Sequence, residues 1–264
     1  MSLSRYDICV LPGDGIGVEV IDATLPLVER ACHGAGFALR FASHPAGALH
    51  FRATGEALPD ATFAAARDAH AILFGAMGWP DIRRPDGTEI APQLDLRFAL
   101  ELYAGVRPAR ALPGVPLPLA DPRARDIDLV IVRESTEGLF ASVGRGTLVD
   151  DREARDTMVI TRRGSARVHE FAFRLAERRR ARGRPGEVTC VDKANVFVSM
   201  AFFRKVFDEV AARHRAALSF QPVDRLPLVC YQPYSGERFE VVREDGGERS
   251  EPAVERRAHE IALE

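Results

Sequence analysis

Three arginines stand where an α/β protein could use them to hold an acidic ligand. Arg97 lies in LDLRFALELY, Arg107 in YAGVRPAR, and Arg133 at the end of the apolar run LVIVRE. Each is at or near the predicted carboxyl end of a strand or its approach, where α/β sheets place ligands. Because a guanidinium group matches a carboxylate with paired hydrogen bonds, the three together indicate a substrate with several carboxylates. Any one of them alone would more simply be a surface ion pair.

A lysine with a second possible role in chemistry ends a strand-forming run. Lys193 closes the run in VTCVDKANV and precedes a segment with helical spacing. At the mouth of a sheet, a lysine is either a solvated edge charge or a proton-transfer group. Its own neighbourhood leaves both interpretations open.

A glycine-rich turn near the amino terminus is a third candidate. LPGDGIGVEV places small residues and Asp14 where a strand passes into the amino terminus of a helix, a location suited to close ligand approach. GDGIG does not have the GxGxxG spacing, so it does not predict a Rossmann dinucleotide site. A tight strand-to-helix turn is the simpler interpretation.

Strand and helix patterns alternate along the chain and would position these residues. Short apolar or alternating runs predict strands over 6–12, 37–44, 70–78, 127–138 and 218–224, some of them continuing into a turn or loop, and a strand followed by a loop in EVTCVDKANV. Apolar residues at helical spacing predict helices after GDGIG and over 58–69 and 197–214, a helix leading into a strand over 94–110, and a strand, a turn and a long helix over 157–183. The alternation predicts an α/β protein with parallel strand pairs and functional loops at the carboxyl ends of the strands.

Composition favours a protein that acts on small molecules. The 264 residues are 46% hydrophobic and 28% charged, which fits one large or two modest domains, and the net charge of -2 gives no reason to expect nucleic acid or a membrane as partner. Four widely spaced cysteines without a CxxC pair indicate reduced thiols. No signal segment and no membrane-length apolar run is recognised, so a cytoplasmic protein is expected.

Two further features are interpreted as structural. The basic run ERRRARGR (177–184) could bind nucleic acid, but arginines at the end of a helix offset its dipole and no aromatic residues interleave with them. The seven histidines lack metal-ligand spacing, so His169 and the others are interpreted as ordinary surface or helix residues.

Several motifs occur together in an order and spacing that resemble one enzyme family. They are LPGDGIGVEV, LFGAMGWP, the Arg97 and Arg107 pair, RESTEGLFASVGRG and VDKANVFVSMAFFRKVF, over residues 6 to about 224. The chain is similar in these motifs to the isocitrate and isopropylmalate dehydrogenases, including their tartrate- and malate-oxidising relatives. The resemblance implies an α/β isopropylmalate dehydrogenase-like fold. It also implies a cofactor-side domain over 1–103, a substrate and dimer domain over 104–226, and a divergent polar tail over 227–264.

The resemblance also implies an activity: NAD(P)-dependent oxidation of a 2-hydroxy acid with Mg²⁺ or Mn²⁺, usually with decarboxylation. A chelated metal would acidify the hydroxyl and stabilise the enolate. In this family the lysine and a metal aspartate reach the site of the neighbouring subunit, so a homodimer is implied. Carried over by position, the roles are substrate carboxylate binding for Arg97, Arg107 and Arg133, proton transfer for Lys193, cofactor binding for Ile16, Gly75, Ala76 and Asn195, and metal binding for Asp224.

The chain departs from the family pattern at two places. Phe140, in STEGLFAS, stands where most members have a tyrosine that acts as an acid. In one interpretation Phe140 packs the pocket, and either water or a substrate that is not decarboxylated removes the need for the acid. In the other, activity is lost. After Glu244 and Asp245 the expected metal aspartates and histidine-glycine loop do not follow. A truncation or a frame change is therefore expected, which would leave the first domain without its returning segment and marginally stable.

The substrate and the catalytic status remain open at the level of sequence. Ala91, Gln93 and Leu94, in the turn before Arg97, match neither the isopropylmalate nor the isocitrate pattern. Two hypotheses therefore stand: a hydroxy-acid dehydrogenase, or a non-catalytic partner subunit or degenerate fragment of the same family.

Overall fold

A computed structural model describes residues 4–214 and 228–231. The chain divides into two compact units, Met1–Tyr103 and a second unit that begins at Ala104. Asp224 and the strand predicted over 218–224 lie outside the described residues. No helix in the described part is both long and apolar enough to cross a membrane.

The first unit is built on a three-stranded parallel sheet. Its strands lie in the order β2-β1-β3, and each pair is parallel. The elements are β1 (Ser4–Leu11), α1 (Ile16–Gly34), β2 (Phe37–Ser43), α2 (Ala48–Thr54), α3 (Asp60–Asp68), β3 (Ala71–Phe74) and α4 (Pro92–Ala99).

The central strand β1 is buried on both faces because its side chains alternate between two hydrophobic clusters. Ile8 and Val10 pack with Ile21 of α1, whereas Cys9 and Leu11 pack with residues of α3 and α4. A parallel strand covered on both faces reads as a continuous apolar run, which is why YDICVLP is recognisable as a strand from its sequence.

The second unit contains a mixed four-stranded sheet in the order β4-β5-β9-β8. β4 is antiparallel to β5, and the remaining pairs are parallel. Its elements are β4 (Ala104–Arg110), β5 (Asp128–Glu134), β6 (Thr147–Val149), β7 (Glu153–Arg155), α5 (Arg162–Arg180), β8 (Thr189–Val191), α6 (Val198–His214) and β9 (Leu228–Tyr231). Parallel pairs that alternate with helices in both units confirm the predicted α/β class.

Five elements differ from the sequence-based expectation. β6 and β7 form a hairpin where no element is predicted, and α2 is likewise not predicted. The strand expected at the start of 157–183 is reduced to a single bridge between Val159 and Gly138. β9 lies within the segment expected to be a polar tail, at its one short apolar run.

Helices α5 and α6 pack against each other over a hydrophobic cluster of Phe173, Val206, Val210 and Ala211. The basic run at the end of α5 is partly used within the unit. Arg179 donates hydrogen bonds to the backbone and side chain of Asp128, and Arg184 lies 2.9 Å from the same carboxylate.

His169 lies on helix α5, one of the two placements expected for it, but it is not a surface residue, because its side chain is fully buried between α5 and α6. Its ring packs on Phe203 and Phe207, and its Nε2 lies 3.3 Å from the Phe203 carbonyl oxygen. Burial lowers the pKa of His169 to about 4, and this outweighs the opposing effects of the Phe203 carbonyl and the Asp192 charge. The imidazole is therefore neutral in the folded protein.

Acid is expected to destabilise the second unit through His169. Its folded pKa lies below the unfolded value of 6.5, so the unfolded chain takes up a proton first as the pH falls. The contribution of the neutral His169 to stability is complete above pH 6.5. As the pH falls towards 4 this contribution is lost progressively, which lowers the free energy of unfolding by about 3 kcal/mol in total. Denaturant titrations of the wild type and His169→Leu across this range should diverge. His33→Gln, an exposed control on α1, should keep the wild-type slope, and parallel curves for wild type and His169→Leu would refute the assignment.

Candidate functional site

Two of the three candidate arginines lie on the same face of the second unit's sheet. In the β4–β5 pair, Arg107 is opposite Ile131, and Arg133 is opposite Gly105. Directly opposed residues of an antiparallel pair share a face, and so do residues two apart on one strand. Arg107 and Arg133 are therefore diagonal neighbours on one face, within reach of one ligand. These four residues are called the arginine face.

The opposite face of β5 belongs to the core. Val130 and Val132 are buried, and the buried Glu134 lies 3.8 Å from Arg167 of α5. Because side chains alternate along a strand, α5 covers this face and leaves the arginine face on the other side of the sheet.

Phe140 lies against Arg133. The short 3-10 helix Leu139–Ser142 places its ring so that the Arg133 guanidinium carbon is 5.2 Å from the ring centroid, a cation–π distance. The ring therefore supports the guanidinium plane. Phenylalanine offers no hydroxyl proton here.

Two glutamates fix the RESTEG loop that links Arg133 to Phe140. The Glu134 carboxylate accepts hydrogen bonds from the backbone amides of Thr136 and Glu137, at 2.8 and 2.6 Å, and from the Thr136 hydroxyl. The Glu137 carboxylate accepts from the backbone and hydroxyl of Thr161, the residue that caps α5. The loop is thus held at both ends by charged hydrogen bonds.

Lys193 follows β8 at the sheet edge where β5 and β9 also end. Arg133 is in register with Tyr231 of β9, which is in register with Val191, the last residue of β8. Two interstrand spacings separate Arg133 from Val191, about 10 Å. The half-buried Lys193 lies two residues further on, and Asn195 is exposed in the same turn.

In the first unit, three of the residues proposed for cofactor binding come together where β1 and β3 end. The Gly75 amide donates to the Leu11 carbonyl at 2.8 Å, and the Asp14 amide donates to the Ala76 carbonyl at 2.8 Å. These bonds join the turn before α1 to the turn after β3. Ile16 is 61% exposed and Ala76 is also exposed, so this edge presents apolar groups to solvent.

Asp14 belongs to the scaffold of this turn. Its carboxylate accepts hydrogen bonds from three backbone amides, those of Ala48 and Leu49 at the start of α2 and that of Gly78, at 2.7 to 2.8 Å. The side chain is 3% exposed. The structural interpretation of GDGIG therefore applies to Asp14.

Replacement of Gly75 by alanine is expected to destabilise the first unit by about 3 kcal/mol or more, the upper range for overpacking. A Cβ at this position would lie 1.9 Å from the Pro12 carbonyl oxygen, and backbone cannot move away cheaply. Gly34→Ala is the matched control, because a Cβ there meets nothing within 4 Å and alanine favours the helix. Equal unfolding midpoints for the two variants in denaturant would contradict this packing.

Arg97 is carried by the first unit. It is half-buried in the last turn of α4, and its carbonyl accepts from the Leu102 amide at 2.9 Å. Gln93 lies one helical turn earlier, so the two side chains leave the same side of the helix. The Oε1 atom of Gln93 is buried and has no hydrogen-bond partner.

Among the residues that the structure describes, no group of three or more His, Cys, Asp or Glu side chains could hold a metal ion. Asp224, the metal ligand implied by the resemblance, lies outside those residues.

The fold and motifs define a dehydrogenase class that comparison with known proteins confirms. The family model for isocitrate/isopropylmalate dehydrogenase matches residues 7–231. The chain is 38% identical over 210 residues to the 3-isopropylmalate/3-methylmalate dehydrogenase of Methanocaldococcus jannaschii, covering 79% of this chain and 57% of that protein. It is 37% identical over 208 residues to a Staphylococcus aureus 3-isopropylmalate dehydrogenase, covering 78% and 58%.

Solved structures agree. The isocitrate dehydrogenase of Methylococcus capsulatus matches with a TM-score of 0.66 and 31% identity, over 86% of this chain and 60% of that one. A beta-decarboxylating dehydrogenase of Thermococcus kodakarensis matches with a TM-score of 0.59 and 33% identity, over 86% and 57%. The chain belongs to the isocitrate/isopropylmalate dehydrogenase family. It spans less than two thirds of the length of these curated relatives.

Composition distinguishes Lys193 from most cationic residues of the chain. Of the 36 Lys and Arg residues, only Lys193 and Lys205 are lysines. Lys193 lies in the DKANV turn, and Lys205 is exposed on α6. Unlike arginine, which is in effect always protonated, a lysine can release a proton when its surroundings favour it.

Proposed function

We propose that this chain acts in the NAD(P)-dependent, Mg²⁺- or Mn²⁺-dependent oxidation of a 2-hydroxy acid with at least two carboxylates, usually followed by decarboxylation. The observation that carries the proposal is the arginine face, where Arg107 and Arg133 are diagonal neighbours on adjacent strands. Membership of the dehydrogenase family supports the reaction class.

The arginine face suits a dianion. Two guanidinium groups on adjacent strands can each form paired hydrogen bonds with a carboxylate, and the Phe140 ring keeps that of Arg133 oriented. Arg97 is proposed as a third carboxylate ligand on the strength of the resemblance. The candidate substrates are 3-isopropylmalate, isocitrate, tartrate and malate.

The carboxyl edge of β1 and β3 fits a nicotinamide cofactor chemically. Ile16 and Ala76 are exposed, and Trp79 lies near Gly15, so the edge offers apolar surface for a flat ring. Ile16, Gly75 and Ala76 are proposed to hold the cofactor together with Asn195, and Asp224 is proposed as a metal ligand. When bound, the nicotinamide would accept the hydride and the metal would acidify the substrate hydroxyl.

Lys193 is proposed to move the proton of the substrate hydroxyl. A general base must be held at hydrogen-bond reach of the proton that it takes. The backbone of Lys193 is well fixed, because its carbonyl accepts from the Val196 and Phe197 amides at 3.0 and 3.1 Å. The flexible side chain of Lys193 would then span the distance to the substrate.

A second copy of the chain is the proposed partner. Val196 and Val198, just after Lys193, are 59% and 88% exposed, and Leu148 on the β6–β7 hairpin is 69% exposed. Large exposed apolar side chains around one turn and one hairpin suit an interface between copies. Lys193 would then serve the site of the partner subunit.

The proposal is tested by the formation of reduced nicotinamide in the purified chain with Mn²⁺, NAD or NADP, and each of the four hydroxy acids. Turnover with one of them is the expected result and would name the substrate. A folded dimer that is silent with all four, at saturating cofactor and metal, would refute the proposed activity for this chain.

Phe140 favours a second candidate function, that of a non-catalytic partner subunit or degenerate fragment of the family. Its ring occupies the position of the family's acidic tyrosine but has no proton to donate. Phe140→Tyr distinguishes the two. If the chain is an enzyme that works without this acid, wild type turns over and the variant alters the yield of decarboxylated product. If it is non-catalytic, neither protein turns over.

A further inference from the structure

The carboxylate of Asp192, immediately before Lys193, is buried and bonded from three sides. Its Oδ1 atom accepts from the Ala194 amide at 2.8 Å, and its Oδ2 atom accepts from Arg204 Nε at 2.7 Å and from the Cys190 thiol at 3.3 Å. The side chain is only 1% exposed. Such a charge is costly to bury, and these bonds are what make it tolerable.

The hydrogen bonds of Asp192 help to fix the backbone around Lys193. On the carboxyl side of Lys193, the Ala194 amide is held by Asp192, and the Lys193 carbonyl accepts from Val196 and Phe197. The lysine side chain therefore leaves from a defined point, and the residue is half-buried.

Arg204 connects this turn to the hydrophobic core. It lies on α6, where its neighbours Phe203 and Val206 are fully buried. Through the ion pair with Asp192, the position of the turn is tied to α6 and is not set by the turn residues alone. The Asp192 side chain of this pair is 1% exposed and the Arg204 side chain is 42% exposed.

We propose that Asp192 is a positioning residue for Lys193, anchored by Arg204; this rests on the proton-transfer role proposed above. The carboxylate does not touch the substrate. It holds the Lys193 turn at the place from which the amine reaches the hydroxyl proton. An error of about 1 Å in such a placement lowers the rate by about 10²-fold.

The test uses the full chain with three substitutions: Asp192→Asn, Arg204→Gln and Glu209→Gln. The first two break the anchorage at either end, and Arg204→Gln serves if Asp192→Asn does not fold. Glu209→Gln is the matched control, because it breaks an exposed ion pair between α6 and Arg162 of α5 without touching the turn. Steady-state kinetics give kcat and KM, and acylation followed by mass spectrometry gives the rates of Lys193 and Lys205 separately.

In the two anchorage variants, kcat should fall by about 10²-fold while KM for the hydroxy acid changes little, because placement of the base is lost and not substrate binding. The acylation rate of Lys193 should rise by about threefold or more relative to Lys205, since the turn loosens and the amine becomes easier for the reagent to reach. The control should match wild type in both readouts.

An unchanged ratio of Lys193 to Lys205 acylation in both anchorage variants would overturn the proposal, whatever the turnover. If wild type shows no turnover at all, the proposed function fails, and the acylation ratio still decides whether Asp192 positions the lysine.

Discussion

Replacement of Lys193 by methionine is expected to lower kcat by about 10³-fold and to leave KM for the hydroxy acid nearly unchanged, within the range that general acid–base groups contribute. Methionine keeps the unbranched stem that the half-buried side chain requires but has no amine. The binding of the carboxylates depends on arginines and should persist. Initial rates of nicotinamide reduction measure the effect.

Lys205→Met provides the control for this loss. Lys205 is the only other lysine of the chain and is exposed on α6, so its substitution removes the same charge without affecting the DKANV turn. Equal rates for wild type and Lys193→Met would remove Lys193 from the mechanism. Equal losses in both variants would point to net charge and not to a positioned base.

Replacement of Arg133 by methionine is expected to raise KM for the dicarboxylate by about 10²-fold or more, as is typical when one partner of a hydrogen-bonded charge pair is removed. Arg133 stacks on Phe140 and shares the arginine face with Arg107, so its guanidinium has a fixed direction. Arg133→Lys should recover only part of the affinity, because the lysine lacks the planar fork.

Arg123→Met is the control for the loss at Arg133. Arg123 pairs with Asp121 on an exposed segment of the same unit, and its side chain is 79% exposed. Its substitution should leave KM within about twofold of wild type, since exposed ion pairs contribute little. A KM for Arg133→Met that equals that of Arg123→Met would contradict the assignment of the arginine face.

The main features of the fold could be predicted because they depend on strong local patterns. β1 and β5 each contain a continuous apolar run, over residues 8–11 and 129–132, as is typical of parallel or central strands, and α6 carries apolar residues at helical spacing. The resemblance carried by RESTEG and DKANV was enough to predict the family, which the comparisons confirm.

The unpredicted elements have weak local patterns. The strands β6 and β7 are three residues long and exposed, so they show no alternation of buried and exposed positions. Their turn does carry a signal in the sequence, the adjacent Asp150 and Asp151, because aspartate tolerates the positive φ that both residues adopt in this hairpin turn. The environment of His169 depends on how two helices pack, which one sequence does not reveal.

The candidate site was predictable in its residue types but not in its supporting contacts. Arg133 could be selected from its position near the end of a strand, whereas Arg107 lies in the middle of β4 and not at the strand end expected for it. Their shared face follows from the β4–β5 register. The roles of Glu134, Glu137 and Asp192 depend on backbone amides that approach them only in the folded chain. The turn around Asp14 was interpreted more simply as a tight strand-to-helix turn than as a ligand site, and Asp14 accepts hydrogen bonds from three amides of its own unit.

The central claim is that a hydroxy dicarboxylate binds at the arginine face within reach of a Lys193 side chain, and protection from acylation tests it most directly. The rates of Lys193 and Lys205 modification would be measured by mass spectrometry with and without the hydroxy acid, Mn²⁺ and oxidised cofactor. The account predicts that the ligand slows Lys193 strongly and leaves Lys205 unchanged, and that Arg133→Met abolishes this protection. Equal rates for Lys193 with and without ligand, at concentrations that saturate binding, would contradict it.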